Sequence, residues 1–169
     1  VAEAHLEAFG FAVIPFLSPA EAAALRSLYD ELGSAPGDPR SGFFQGNVST
    51  SVAWKRSVSA AVEPRVAERV AELFDDQHLF LVSYLVKWPG GGSLPPHVDP
   101  TMVDQEDRFR GATLWCPLDP PVPGVDDGNL RVVPGSHHLA CTYRYRAKGG
   151  HAPSPLEPLE EAIDASYAI

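Results

Sequence analysis

Apolar runs in this chain are short, and glycine and proline separate them. The most pronounced, Leu79-Phe80-Leu81-Val82-Ser83-Tyr84-Leu85-Val86-Lys87-Trp88, stops at Pro89-Gly90-Gly91-Gly92-Ser93. No run approaches the roughly 18 apolar residues that a membrane span requires, and no basic-then-apolar signal segment opens the chain. The 17 prolines and 14 glycines lie mostly between or beside apolar runs, so they read as turns rather than as disorder. Short strands punctuated in this way predict a sandwich or jelly roll. The length of 169 residues suits one domain with its own core.

The spacing predicts helices first and strands afterwards. Phe11-Ala12-Val13-Ile14-Pro15 reads as a short opening strand. Ser18-Pro19-Ala20-Glu21 is a helix start, with Ser18 as cap, Pro19 at the first helical position and Glu21 reaching back. Ala22, Leu25, Leu28, Tyr29 and Leu32 give that helix one apolar face, and Gly33 ends it. A second helix is predicted to begin near Glu63-Pro64, with Val62, Val66, Val70, Leu73 and Phe74 on its buried side. Strands follow at 79–88, 112–118 and 129–133, with turn chemistry in Asp126-Asp127-Gly128-Asn129 between the last two. Leu156, Leu159, Glu160 and Ile163 could start a helix in a Pro/Ala/Glu-rich tail. The predicted fold is α+β, mainly β, a jelly roll with N-terminal packing helices. It is one domain over 1–169, divided into an N-terminal strand and helices (1–78), core strands with a turn (79–140) and a loop or tail (141–169).

The net charge of −9 argues against a nucleic-acid surface, which needs clustered Lys and Arg. The cluster Arg144, Arg146 and Lys148 is small and reads as a solvated loop. Two cysteines, Cys116 and Cys141, cannot form a disulfide framework; Cys116 reads as a buried free thiol. A cytoplasmic enzyme acting on a small molecule, without nucleic acid or membrane, fits these features.

One constellation carries chemistry. In Pro96-His97-Val98-Asp99-Pro100 an imidazole and a carboxylate stand two positions apart in non-helical sequence, just past a predicted core strand. They can point the same way and share one metal, supplying two ligands of the 2-His-1-carboxylate triad that leaves iron(II) with open positions. A His-x-Asp pair alone arises often by chance and usually marks a polar turn. Its place on the rim of a rigid strand favours the metal.

Three further blocks accompany it. Phe9-Gly10-Phe11-Ala12-Val13-Ile14-Pro15-Phe16-Leu17-Ser18 opens the chain. Trp115-Cys116-Pro117-Leu118-Asp119 and Gly128-Asn129-Leu130-Arg131-Val132-Val133-Pro134-Gly135-Ser136-His137 follow the turn Lys87-Trp88-Pro89-Gly90 through Asp99. In this order, over residues 9–138, the four blocks resemble the phytanoyl-CoA dioxygenase family. The resemblance implies a double-stranded β-helix, cupin-like in form. It further implies iron(II) as cofactor, 2-oxoglutarate as co-substrate and O2 as oxidant, for oxidation (usually hydroxylation) of an aliphatic carbon. His97 and Asp99 carry over as catalytic iron ligands. Trp115 matches a position near the 2-oxoglutarate, and Ser83 faces the same pocket. A carboxylate at Asp99 predicts hydroxylation, desaturation or cyclisation rather than halogenation.

Two departures stand out. Val98 occupies a position where the family often has Gln. Past the Pro-Gly-Ser-His block the family continues with a Gly-Asp turn, a second iron-binding histidine and an Arg for the distal carboxylate of 2-oxoglutarate, and nothing here matches them. The expectation is that the sequence continues beyond Ile169, with these elements and the last strands in the missing part. Within the chain, His151 in Gly149-Gly150-His151-Ala152-Pro153 is the candidate third ligand, though a Gly/Pro loop holds a ligand poorly. His137 and His138 read as structural, and His5 and His78 as surface residues. Lys87 snorkels and Arg131 faces solvent, so neither clamps 2-oxoglutarate. Gln45 and Asn47 are candidates for a pocket rim, and 120–128 for a lid. A non-catalytic jelly-roll binding module and a cupin-like hydrolase or isomerase using zinc are the alternatives.

Overall fold

The structure, a computed structural model, describes residues 2–75, 78–91, 111–119, 130–138 and 167–168. These fall into two compact units. One holds residues up to Pro15 with 111–115, 130–138 and 167–168; the other runs from Phe16 to 91 and adds 116–119.

The larger unit is built on two helices. In α2 (Pro19–Leu32; α1, Ala2–Phe9, lies in the other unit) the predicted capping box is present. Ser18 Oγ accepts from Glu21 N–H at 3.3 Å, and the Glu21 carboxylate accepts from Ser18 N–H at 2.7 Å. Gly33, at φ 73°, stops the helix, and its N–H returns to Tyr29 O. Glu21 also pairs with Arg69 at 2.8 Å, and Arg69 donates to Phe16 O. The start of α2 is thereby tied to α3 (Val52–Leu73).

α3 departs from the sequence expectation. It begins at a Ser51 cap, whose Oγ accepts from Trp54 N–H at 3.2 Å, and runs through Pro64 rather than starting there. Trp54, Val58, Val62, Val66 and Val70 recur every fourth residue, and all but the half-buried Val62 are buried. This stripe holds the helix across a proline that donates no backbone hydrogen bond. Val58, at 1 % exposure, is the centre of the core with Ala35, Trp54 and Tyr84. Tyr29, Leu32, Phe44, Val62, Val82 and Leu118 pack around them. Two of the core side chains pair their polar atoms: Trp54 Nε1–H donates to Gly33 O at 3.1 Å, and Tyr84 O–H to Leu25 O at 2.9 Å.

A two-stranded antiparallel ladder completes this unit. β1 (Phe43–Gln45) pairs with β2 (Leu85–Lys87) in the register Phe43↔Lys87, Phe44↔Val86, Gln45↔Leu85. Of the strand expected over 79–88, only β2 is ladder. Its partner is three residues long, and pairing ends where Gly46 N–H meets Tyr84 O. Burial is also less than expected, with Tyr84 buried but Phe80 67 % exposed.

In the smaller unit, α1 (Ala2–Phe9) precedes residues 11–15, which form no strand. β3 (Arg131–Val132), within the expected strand 129–133, pairs antiparallel with β4 (Tyr167–Ala168) from the tail. A 3-10 turn, Ser136–His138, follows β3. The strand expected over 112–118 is absent: residues 111–119 carry no strand. Leu118 instead packs on the core of the larger unit, and Asp119 accepts from Arg26 Nε at 3.3 Å. The described chain is thus α+β with small antiparallel ladders, and its helices outweigh its strands. The predicted tail helix lies outside the described residues.

Candidate functional site

β2 leads toward the His-x-Asp pair, and its far end is firmly held. Trp88 N–H donates to Gly42 O at 2.9 Å, and Gly91 N–H to Trp88 O at 2.9 Å. Trp88 Nε1–H donates to the Asp38 carboxylate, 3.0 Å from one oxygen and 3.3 Å from the other. Gly91 lies so close to Gly42 that a β-carbon there would stand 2.7 Å from its backbone. Two glycines allow the backbones to meet. His97 and Asp99 themselves lie outside the described residues, as do His151 and the loop 120–128. Among the described residues, no group of three His, Cys, Asp or Glu side chains is placed to hold a metal.

At the other end of the ladder, Gly46 is walled in. A β-carbon on it would stand 2.8 Å from the Trp54 ring and 3.0 Å from Ser83 Oγ. Ser83 is half-buried, and its hydroxyl donates to Tyr84 O at 3.3 Å. Ser83 therefore faces Gly46 and Trp54. The neighbouring Asn47 has its carbonyl oxygen Oδ1 buried without a partner among the described residues, while its backbone oxygen accepts from Lys55 Nζ at 3.4 Å. A buried acceptor without a donor is costly unless something supplies one, which makes Asn47 a candidate contact for a ligand donor. Ser49 Oγ donates to Pro36 O at 2.7 Å and fixes the turn behind it. Sequence reasoning named Gln45 and Asn47 but missed Gly46, Trp54 and Lys55.

Trp115 belongs to the smaller unit and is 38 % exposed. Ser83 belongs to the larger one. Lys87 and Arg131 are both exposed. Burial pushes the Cys116 thiol up from its ordinary range, so it is a neutral side chain at neutral pH. Burial also raises the Tyr84 hydroxyl, against a small opposing effect of Arg65.

The profile of the phytanoyl-CoA dioxygenase family matches residues 6–162. The chain belongs to the phytanoyl-CoA dioxygenase family. The match takes in the whole of α2, α3, β1, β2 and β3 together with His97, Asp99, Trp115 and Ser83, so the resemblance carried by the four sequence blocks holds across nearly the full chain. Members of the phytanoyl-CoA dioxygenase family are generally iron(II)- and 2-oxoglutarate-dependent oxygenases. No curated protein and no solved structure matches the chain significantly. No described helix is long and apolar enough to cross a membrane.

Proposed function

We propose that this member of the phytanoyl-CoA dioxygenase family is an iron(II)- and 2-oxoglutarate-dependent oxygenase that oxidises an aliphatic carbon of a small molecule. It would do so as one domain on a double-stranded β-helix. The observation that carries this reading is the family match over residues 6–162, which includes His97-Val98-Asp99. The donor set fits the metal: a neutral imidazole and a carboxylate are the nitrogen and oxygen ligands that iron(II) takes in facial sites. His97 and Asp99 would hold it, and His151 is the third ligand to test. With iron and 2-oxoglutarate bound, the centre supplies oxygen activation, and the protein supplies position.

The remaining roles fall to the chain's own side chains. Ser83 and Trp115 would line the 2-oxoglutarate pocket, Ser83 through a hydroxyl fixed beside Gly46. Asn47 would accept from a donor on the substrate. The Asp38–Trp88 bond would hold the end of β2, from which the chain leads on to the ligands. Retention of a carboxylate at Asp99 favours hydroxylation, or a related desaturation or cyclisation, over halogenation.

Addition of iron(II) and then 2-oxoglutarate without oxygen tests the reading. The expected result is a weak visible charge-transfer band, absent in His97→Ala and Asp99→Ala, which should also bind less iron. Protein that binds iron yet gives no band would sink the proposal and leave a binding module on the same scaffold.

A further inference from the structure

An eight-residue helix such as α1 is too short to sustain itself in water. Its last carbonyls also lack partners within the helix. Gly10, at φ 81°, turns its N–H back to Leu6 O at 2.8 Å. The carbonyls of Phe9 and Glu7 are met by a segment far along the sequence. Gly135 N–H donates to Phe9 O at 2.9 Å, and His137 Nε2 lies 3.1 Å from Glu7 O.

A carbonyl only accepts, so this contact places the imidazole proton on Nε2. The other ring nitrogen is pressed against Gly10, where a β-carbon would stand 2.4 Å from Nδ1. His138 covers the ring, with centroids 3.8 Å apart. One nitrogen of His137 thus meets a carbonyl, and the other lies against Gly10. The turn that presents the ring is itself closed, Ser136 N–H donating to Val133 O and His138 N–H to Gly135 O, each at 3.1 Å.

We propose that Pro134-Gly135-Ser136-His137 is a latch for the N-terminal helix: it caps α1 from a distance, His137 is the bolt, and Gly10 is the slot that receives it. The assignment is independent of iron. It makes His137 a positioning residue for residues 2–11.

Hydrogen–deuterium exchange on the full chain tests it, comparing a peptide over residues 2–11 with one over residues 52–73. His137→Leu keeps an apolar bulk and removes the donor; it should speed exchange of the first peptide about tenfold and leave the second unchanged. His137→Gln, whose amide N–H can reach the same carbonyl, should restore most of the protection. Gly10→Ala should also speed exchange of the first peptide, because its methyl group takes the place of the ring and is strained at φ 81°. Unchanged exchange over residues 2–11 in both His137→Leu and Gly10→Ala would overturn the proposal. Faster exchange of both peptides together would overturn it too, because the histidine would then serve the fold as a whole.

Discussion

Single atoms decide several positions in this chain. Gly46 is one, since its missing β-carbon is what allows the Trp54 ring and Ser83 Oγ to close over the end of β1. Gly46→Ala should destabilise the fold by about 1–3 kcal/mol, the usual cost of overpacking. Urea unfolding followed by tryptophan fluorescence would read it. Wild-type stability in that variant would mean the wall around Gly46 yields freely. Glu21 is another. Hydrogen bonds from the Ser18 hydroxyl and backbone hold its carboxyl below the ordinary value of 4.5; burial opposes them, and the charge and hydrogen bond of Arg69 add smaller lowering effects. A depressed folded pKa contributes stability above 4.5, lost as pH falls through the lowered value. Glu21→Gln should therefore lower Tm at neutral pH, and the gap to wild type should close as pH falls below 4.5 and through the lowered value. A gap independent of pH would show that the charge of Glu21 contributes nothing. The capping pair Ser18 and Glu21 was legible because its chemistry lies within four residues. Gly46 was not, because its neighbours come from α3 and from the segment before β2.

At the scale of elements, α2 follows from its sequence and α3 does not. Ser18, Pro19 and Gly33 are local signals, and local physics delimits α2. In α3 the same rules mislead: Glu63-Pro64 resembles a helix start, yet the helix begins at Ser51. The apolar stripe from Trp54 to Val70 was partly hidden by the serines and alanines between its members. Substitution of Pro64 separates the two readings. In the interior of α3, Pro64→Ala restores a backbone hydrogen bond and should raise stability, by up to about 3 kcal/mol. At a helix start it would be close to neutral. Thermal unfolding by circular dichroism would tell them apart, and an unchanged Tm would count against a continuous α3. β2 shows the opposite error. Its β-branched and aromatic neighbours predicted a long buried strand, but ladder length depends on the partner, and β1 offers three residues. Strand propensity describes a surface that fits a sheet, and a neighbour must still supply the sheet.

For the whole molecule, the family match extends over both compact units. Ligands that bind only the folded state raise its stability by mass action. Iron(II) with 2-oxoglutarate should therefore raise Tm when both are present well above their Kd, and Asp99→Ala should abolish the rise. A shift that persists in Asp99→Ala would place the metal elsewhere. His151→Ala in the same assay decides whether that histidine belongs to the centre; retention of the full shift would exclude it.

The family was readable without coordinates because its marks are residue types at fixed spacing, such as Pro-Gly-Ser-His after a glycine-rich turn; the proposed metal pair, His97 and Asp99, is a spacing of the same kind. Such chemistry survives in the order of letters alone. Tertiary structure decided what sequence spacing cannot express: that α3 continues through a proline, that residues 112–118 form no strand, and that His137 closes on Glu7 and Gly10 across the length of the chain. The physical reason is the same in each case. Caps, turns and ligand pairs are satisfied by neighbours in sequence, whereas the core stripe, ladder length and the capping of α1 are satisfied by groups that only folding brings near.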